Sequence, residues 1–218
     1  MKVAVFCESP ADEAAIRILL AGILEKEPQA ISWLPRIATR PKGGWSSVKG
    51  SLPNAIRHFH YNTDADALVV VADSDDTPVH RSPHDQIGGE EPRCRLSQLR
   101  NIFKETKLRP IPDRSELKSA VGIAVPAIEA WYLCDIDQHV SEATWERKLE
   151  QSERITYTRN SLKKKVYGTE RATLNVMTRH AIEAATRLVN DLSQLENSFP
   201  VGFGSFARDV RNWQLTEK

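Results

Sequence analysis

Ala67-Leu-Val-Val-Val-Ala-Asp73-Ser-Asp75-Asp76 is the stretch of this 218-residue chain that decides its fold. Six consecutive apolar residues predict a strand buried on both faces, as in a parallel sheet, and the run stops abruptly at carboxylates. In open α/β sheets, ligands bind just beyond the carboxyl ends of the strands. We therefore expect Asp73 and Asp75 to lie at a ligand site, where carboxylate oxygens suit a hard cation such as Mg²⁺. An Asp-rich turn that only solvates a strand end is the alternative.

The N-terminus repeats this arrangement of a strand followed by a carboxylate. Residues Lys2–Cys7 predict a short apolar strand that ends at Glu8. Ser9 is a good N-cap and Pro10 suits the first position of a helix, so a helix should follow. Its apolar residues recur with helical spacing at Ala15, Ile16, Leu19, Leu20, Ile23 and Leu24. Glu8 thus occupies a strand-to-helix turn, unless it is merely a solvated or capping residue.

A third strand is predicted over residues 121–125, and it runs into Pro126, which can open the next helix. Glu129 falls in the first turn of that helix, among Ile128, Trp131, Tyr132 and Leu133. A carboxylate in so apolar a setting is buried only when it is paired or coordinates something. The alternative is a surface glutamate that the helix dipole favours.

Together, the order Glu8, Asp73-x-Asp75 and Glu129 resembles the TOPRIM family. That family has a Glu after a first strand and an Asp-x-Asp after a later one, on a small Rossmann-like sheet. More closely, the chain resembles small stand-alone TOPRIM-like proteins of bacteria, related to nucleases of the overcoming-lysogenization-defect type. Their third signature resembles Ile128-Glu-Ala-Trp-Tyr-Leu-Cys-Asp135. The resemblance covers about residues 1–135, with one departure: Ser9-Pro10 stands where many TOPRIM proteins have Gly.

The resemblance implies both a fold and a metal site. We expect an α/β, Rossmann-like TOPRIM fold over residues 1–140, with a small mainly parallel sheet flanked by helices. Residues 141–218 should form a helical C-terminal extension packed on it. The family pattern makes Glu8, Asp73 and Asp75 metal-site carboxylates, with Glu129 as a fourth, and all four catalytic. The expected cofactor is Mg²⁺ or Mn²⁺.

Carboxylates gathered at one sheet edge repel each other unless a divalent cation neutralises them. Bound Mg²⁺ can activate a water and stabilise the oxygens of an in-line phosphoryl displacement. The leading hypothesis is therefore Mg²⁺-dependent hydrolysis of phosphodiester bonds in DNA or RNA, that is, a TOPRIM-type nuclease. The resemblance also implies a place in a bacterial mobile-element or phage-defence system. The chain is too short to hold the Tyr-bearing domain of a topoisomerase.

Two other functions stay open. Residues 69–77 match the strand-then-D-x-D-x-T pattern of the haloacid dehalogenase superfamily, in which Asp73 would be a phosphatase nucleophile and Asp75 its acid/base. That motif normally follows the first strand, however, whereas here a strand–helix unit with its own Glu precedes it. The third possibility is a non-catalytic TOPRIM-like module that works beside a partner ATPase.

Two basic segments are candidates for contact with nucleic acid. The Gly-rich loop 40–50 places cations around an aromatic side chain, which is one mode of single-strand binding. The second segment is a basic helical turn. The candidate residues are Arg40, Lys42, Trp45, Lys49, Lys163, Lys164 and Lys165. A surface loop with one aromatic anchor and a solvated helix end are the alternatives.

The composition adds no strong charge bias. Lys and Arg total 30 and Asp and Glu total 29, so attraction to a polyanion has to come from local segregation of charge. No apolar run approaches the ~20 residues that a membrane span needs, and no secretory signal is evident. We expect a cytoplasmic protein with no membrane contact. The oligomeric state is not readable from the sequence.

The cysteines and histidines are interpreted as structural. The three cysteines, Cys7, Cys94 and Cys134, are scattered without a Cys-x-x-Cys pair, which argues against a disulfide framework and against a zinc site. His80 and His84 have a spacing that suits metal ligation if their segment is helical. Prolines and glycines in the loop 77–92 argue against a helix there, so we interpret both as solvated loop residues. A loop of this length suits a lid or a substrate guide.

Overall fold

The computed structural model describes residues 1–31, 44–85 and 91–215. Four strands form one sheet in the order β2-β1-β3-β4, with every pairing parallel. They are β1 (Lys2–Cys7), β2 (Gln29–Ile31), β3 (Ala67–Asp73) and β4 (Lys118–Ala124). This confirms the predicted α/β, Rossmann-like architecture. The chain reverses its direction across the sheet after β2, so the topological switch point lies between β1 and β3.

Nine helices lie in the part of the chain that the structure describes. They are α1 (Pro10–Leu24), α2 (Trp45–Tyr61), α3 (Arg95–Glu105), α4 (Ile128–Tyr132), α5 (Glu142–Gln151), α6 (Arg159–Tyr167), α7 (Leu174–Leu188), α8 (Leu192–Ser198) and α9 (Phe203–Leu215). Short 3₁₀ turns cover Ser82–Asp85 and Val189–Asp191. The helical segment between residues 174 and 198 is divided into α7 and α8. The break occurs at Asp191, whose carboxylate accepts a hydrogen bond from Gln194 N (3.0 Å) and starts α8.

The sheet is covered on both faces, which explains why its central strands are continuously apolar. Helices α1 and α9 pack against each other and the sheet, whereas α2 and α3 form a second such pair. Helix α7 lies along α1, so helices beyond residue 140 share one hydrophobic core with the sheet. The predicted domain boundary at residue 140 stays a prediction. No helix within the described ranges is long and apolar enough to cross a bilayer.

The outer edge of β4 is bonded to α9 and to the residues that precede it. Trp213 Nε1 donates to Ser119 O (3.2 Å), the Asp209 carboxylate accepts from Val121 N, and Ile123 N donates to Gly202 O (3.4 Å). A Cβ on Gly202 would lie 2.0 Å from the Ile123 carbonyl oxygen, so only glycine permits this approach.

A buried carboxylate fixes the start of α9. Glu142 accepts hydrogen bonds from Val201 N (2.8 Å) and Gly202 N (2.7 Å). Burial nevertheless raises the pKa of Glu142 to about 7. The side chain thereby links α5 to the beginning of α9.

Candidate active site

The two strands at the switch point lead to Glu8 and Asp73, which are hydrogen-bonded to each other. Cys7 of β1 lies opposite Val71 of β3, so the residue after β1 reaches the end of β3. Asp73 N donates a hydrogen bond to Glu8 Oε1 at 3.3 Å. The structure thus places Glu8 and Asp73 side by side at the sheet position where open α/β folds bind ligands.

The loop after β3 is joined to the loop after β4 by backbone hydrogen bonds. Ser74 N donates to Ala124 O (2.8 Å) and Asp75 N donates to Pro126 O (2.9 Å). Asp73 Oδ1 accepts from Ile128 N at 2.9 Å, at the start of α4. Asp75 adopts a left-handed backbone conformation (φ 52°), which Asp tolerates better than most residues. These bonds hold Asp73 and Asp75 next to the helix that carries Glu129.

Glu129 is buried, as its apolar neighbours predict, with only 3% of its surface exposed. Its Oε2 atom is fully buried and has no hydrogen-bond partner within 3.5 Å among the described residues, and the Tyr167 hydroxyl is the side-chain donor that interacts with the Glu129 carboxylate. Burial is the main cause of a raised pKa at the nearby Tyr167 hydroxyl, and the negative charge of Glu129 is the next largest cause. An ionised carboxylate with an unbonded oxygen is costly inside a protein, so this oxygen suits a ligand that brings positive charge.

A further carboxylate, Asp12, extends the acidic cluster. It lies in the first turn of α1, where its amide donates to the N-cap Ser9 Oγ at 3.2 Å. Burial and the charges of Glu129 and Glu8 raise its pKa to about 7. Asp12 lies three residues after the N-cap Ser9, where acidic residues are common, so its position in the sequence does not distinguish it from an ordinary first-turn residue.

The same forces act on the predicted site residues. Burial raises the pKa of Asp73 well above its ordinary value, and the negative charges of Glu129, Glu8 and Asp12 raise it further. Burial also raises the pKa of Glu8, with a smaller upward contribution from Asp75. The site therefore holds more carboxylate charge than it can stabilise alone, which favours either protons or a bound cation.

Two arginines partly compensate this charge. Arg95, at the start of α3, donates from Nη1 to the Asp73 carbonyl oxygen (2.5 Å) and pairs from Nη2 with Asp75 Oδ2 (2.6 Å). Its guanidinium also lies 4.8 Å from the centre of the Trp45 ring. Arg159, at the start of α6, pairs with Asp75 Oδ1 and lies 3.6 Å from Asp73 Oδ2. Arg159 thus contacts both members of the Asp-x-Asp motif.

The acidic side chains supply the donor atoms that a divalent metal requires. The donors are carboxylate oxygens, as Mg²⁺ prefers, and Glu129 Oε2 is a buried oxygen without a hydrogen bond. The ligand atoms of Glu8, Asp73, Asp75 and Glu129 are not, however, drawn to one point within 4.8 Å of one another. Arg159 lies against two of them and occupies the position of a counter-cation. The residues therefore fit Mg²⁺ chemically, and binding requires Arg159 to move from Asp73 and Asp75.

The residues predicted to contact nucleic acid lie at different distances from the acidic side chains. Trp45 is half-buried under Arg95 and so connects to the site, whereas Lys49 is exposed and donates to Gln98 Oε1 at 2.6 Å. Lys163, Lys164 and Lys165 lie on α6, the helix that begins with Arg159, and Lys165 pairs with Asp137 (2.5 Å). Arg40 and Lys42 lie outside the described residues.

Sequence reasoning missed Arg95, Arg159 and Asp12. Arg159 follows the N-cap Thr158 directly and Arg95 follows the N-cap Cys94. A cation in the first turn of a helix opposes the helix dipole, and this mismatch was the available signal that each pairs with a carboxylate.

Comparison with known proteins adds no relative. No family model, no curated protein and no solved structure matches this chain. The interpretation of the site therefore depends on its geometry and chemistry.

Proposed function

We propose that this protein is a Mg²⁺-dependent hydrolase that cleaves phosphodiester bonds in nucleic acid. The observation that carries the proposal is the contact between Glu8 and Asp73 at the switch point, with Asp75 and Glu129 on the adjoining loop and helix. We call Glu8, Asp73, Asp75 and Glu129 the acidic site. A purely structural role does not account for four mutually repelling carboxylates, one buried and three partly buried, at a ligand-binding position.

Asp73 and Asp75 are the principal residues that would hold the metal, with Glu8 and Glu129 completing the set. Bound there, Mg²⁺ supplies charge neutralisation at phosphoryl oxygens and lowers the pKa of water. The hydrogen bonds to the loop after β4 and to the start of α4 hold the main chain at Asp73 and Asp75, whereas metal binding would still require Arg159 to move away from their carboxylates.

The raised pKa values give the site a means of moving protons. A general acid or base works best when its pKa lies near the operating pH. Asp12 has a pKa of about 7, and that of Glu8 is raised by burial. We assign proton transfer at the reacting phosphate to Glu8. Asp12 is the neighbouring carboxylate whose pKa the charge of Glu8 helps to raise.

The arginines supply contacts for the substrate's phosphates. Arg159 has 35% of its side chain exposed, whereas Arg95 has 9%, so only Arg159 is free to swing toward solvent. A metal bound to Asp73 and Asp75 would neutralise their charge and so weaken the ion pairs that hold Arg159 against them. A planar guanidinium binds phosphate bidentately, so the released Arg159 suits a phosphate of the substrate backbone.

Helix α6 favours a polymeric substrate over a small phosphomonoester. Lys163 is four residues beyond Arg159 and so lies on the same side of α6. Lys164 is exposed on the next position. Cations that continue along a helix from the site match the successive phosphates of a nucleic-acid strand.

The experiment that tests this function is a Mg²⁺ and Mn²⁺ titration of the full chain with labelled single- and double-stranded DNA and RNA. A phosphomonoester is assayed in parallel, together with the Glu8→Gln and Asp73→Asn variants. Asp76→Asn serves as the matched control, because Asp76 is exposed and contacts only Lys148 among the partners that the structure shows.

The expected result is metal-dependent cleavage of at least one polymer that requires both Glu8 and Asp73. Phosphate release from the monoester that requires Asp73 but not Glu8 would instead support the phosphatase. Absence of cleavage on every substrate would refute the proposal for the isolated chain and favour a module that acts with a partner ATPase.

A further inference from the structure

A second set of side chains that could bind a metal lies in the segment that precedes Arg95 in the chain. His80, His84 and Cys94 each present one ligand atom, and these atoms all lie within 4.8 Å of one another. Within residues 1–31, 44–85 and 91–215, this is the one such group of three or more His, Cys, Asp or Glu side chains. We call it the His–Cys cluster.

The spacing within the cluster matches a tetrahedral metal. His80 Nδ1 lies 3.4 Å from Cys94 Sγ. Zinc bond lengths to imidazole and thiolate imply a nitrogen–sulfur separation of roughly 3.6 Å at a tetrahedral angle. The two imidazole rings have centroids 5.6 Å apart and planes at 81°, so they approach the cluster from different directions.

The surroundings of Cys94 favour a metal-bound thiolate. Ser97, one turn along α3 and also buried, donates from Oγ to Cys94 Sγ at 3.4 Å. Its Oγ also lies 3.2 Å from His80 Nδ1. Cys94 stands at the N-cap of α3, where the helix dipole favours negative charge. A hydrogen bond to a ligand atom is the outer-shell contact that orients metal ligands.

The segment that carries the histidines is tied down on its other side. Arg81, between them, donates to Glu146 Oε1 (2.8 Å) and Glu150 Oε2 (2.6 Å) on α5. Arg81 N also donates to His84 Nδ1 at 3.2 Å, a weak bond that metal coordination would replace or rearrange. The two histidines are therefore placed by contacts with α5 and with α3.

We propose that His80, His84 and Cys94 form a binding site for Zn²⁺, distinct from the acidic site. Thiolate and imidazole are ligands that select Zn²⁺ over Mg²⁺. Three protein ligands leave the fourth tetrahedral position to water or another group. On binding, Cys94 loses its thiol proton to solvent. The metal would cross-link the segment after β3 to the start of α3, one residue from the arginine that contacts Asp73 and Asp75.

The test is Co²⁺ binding to the full chain, purified metal-free under reducing conditions and carrying Asp73→Asn to weaken the acidic site. One equivalent of Co²⁺ should produce a thiolate-to-metal charge-transfer band in the near ultraviolet, and Zn²⁺ but not excess Mg²⁺ should abolish it. Cys94→Ser should remove the band, whereas Cys134→Ser, a buried cysteine elsewhere, should keep it.

Two further variants keep the test decisive if Cys94→Ser does not fold. His84→Gln, at a half-buried side chain in the 3₁₀ turn, should weaken Co²⁺ affinity by more than about 100-fold. Ser97→Ala, which removes only the hydrogen bond to sulfur, should weaken it roughly tenfold. Folded protein, checked by circular dichroism, that shows no charge-transfer band with Co²⁺ would overturn the proposal. A band that persists in folded Cys94→Ser would also overturn it.

Discussion

The acidic site and the His–Cys cluster lie on either side of the start of α3, yet they are built differently. The acidic site offers only oxygen atoms and is held by strand ends and backbone bonds between loops. The His–Cys cluster offers nitrogen and sulfur and is held by a loop, a 3₁₀ turn and a helix N-terminus. Hard oxygen donors suit Mg²⁺, whereas imidazole and thiolate suit Zn²⁺.

The two regions also differ in how their charge is balanced. The carboxylates of the acidic site repel one another and are partly neutralised by Arg95 and Arg159. The His–Cys cluster consists of two imidazoles and one thiol and contains no carboxylate. An exchangeable metal is therefore expected at the acidic site, and a tightly held one at the His–Cys cluster.

The largest expected effect separates the acidic site from its surroundings. Asp73→Asn should lower metal-dependent cleavage by roughly 10³-fold, because a metal ligand contributes several kcal/mol to transition-state stabilisation. Rates are measured at saturating Mg²⁺, with the fold checked by circular dichroism. Asp76→Asn should leave the rate unchanged. Full activity in well-folded Asp73→Asn would remove Asp73 from the site.

The second prediction concerns Arg95, which joins the two regions. Arg95→Gln should lower the free energy of unfolding by about 2–3 kcal/mol, since it leaves the Asp73 carbonyl and Asp75 without their buried donor. Urea denaturation of metal-free protein measures this. Arg93→Gln, at an exposed neighbouring arginine, is the control and should leave the midpoint unchanged. Equal midpoints for both variants would show that Arg95 carries no structural weight.

The third prediction asks whether Arg159 competes with metal. Arg159→Gln should tighten Mg²⁺ binding about fivefold, because a partly exposed ion pair is worth up to ~1 kcal/mol and no longer has to be broken. Calorimetric titration with Mg²⁺ gives the affinity, and Arg154→Gln on the preceding exposed loop is the control. Weaker Mg²⁺ binding in Arg159→Gln would contradict a counter-cation role.

The smallest expected effect is on the pH dependence of stability. The pKa of Asp12 rises from an ordinary 3.8 to about 7 on folding, so the folded protein holds this proton more tightly than the unfolded chain. Its contribution to stability is therefore complete below pH ~4 and lost as the pH rises through about 7. Mg²⁺ binds the deprotonated site and should offset this loss at the upper end.

Urea denaturation across this pH window measures the effect, with and without Mg²⁺. Asp12→Asn should flatten the profile of the metal-free protein. Glu142, whose pKa is also about 7, and Asp73 and Glu8, whose pKa values are raised by burial, should supply the pH dependence that remains. A profile that is the same in Asp12→Asn and in the wild type would contradict the assignment.

The fold was predictable because it follows from local patterns. The apolar run at Ala67–Asp73 can be accommodated only as a doubly covered strand, and parallel strands bring their carboxyl ends to one edge. The parallel arrangement therefore predicts that Glu8 and Asp73 lie close together, and the structure shows a hydrogen bond between them. The catalytic roles of these residues stay predictions.

Arg159 and the His–Cys cluster depend on tertiary path, which local patterns do not encode. Arg159 pairs with Asp75 although the two residues are 84 positions apart in the sequence, and no periodic pattern links them. His80 and His84 have no helical spacing to align them; a 3₁₀ turn and the bonds of Arg81 bring them to Cys94. The absence of a Cys-x-x-Cys pair argues only against a cysteine-based site, and it says nothing about a mixed set of two histidines and one cysteine.

The bonds along the outer edge of β4 have a consequence for association. An exposed strand edge invites an extended segment of another chain to pair with it and enlarge the sheet. Here Trp213, Asp209 and Gly202 already use backbone groups of β4 that such a segment would need. Helix α9 and the residue before it therefore prevent another strand from pairing with the outer edge of β4. Truncation before Phe203 would expose an edge prone to aggregation as well as part of the core.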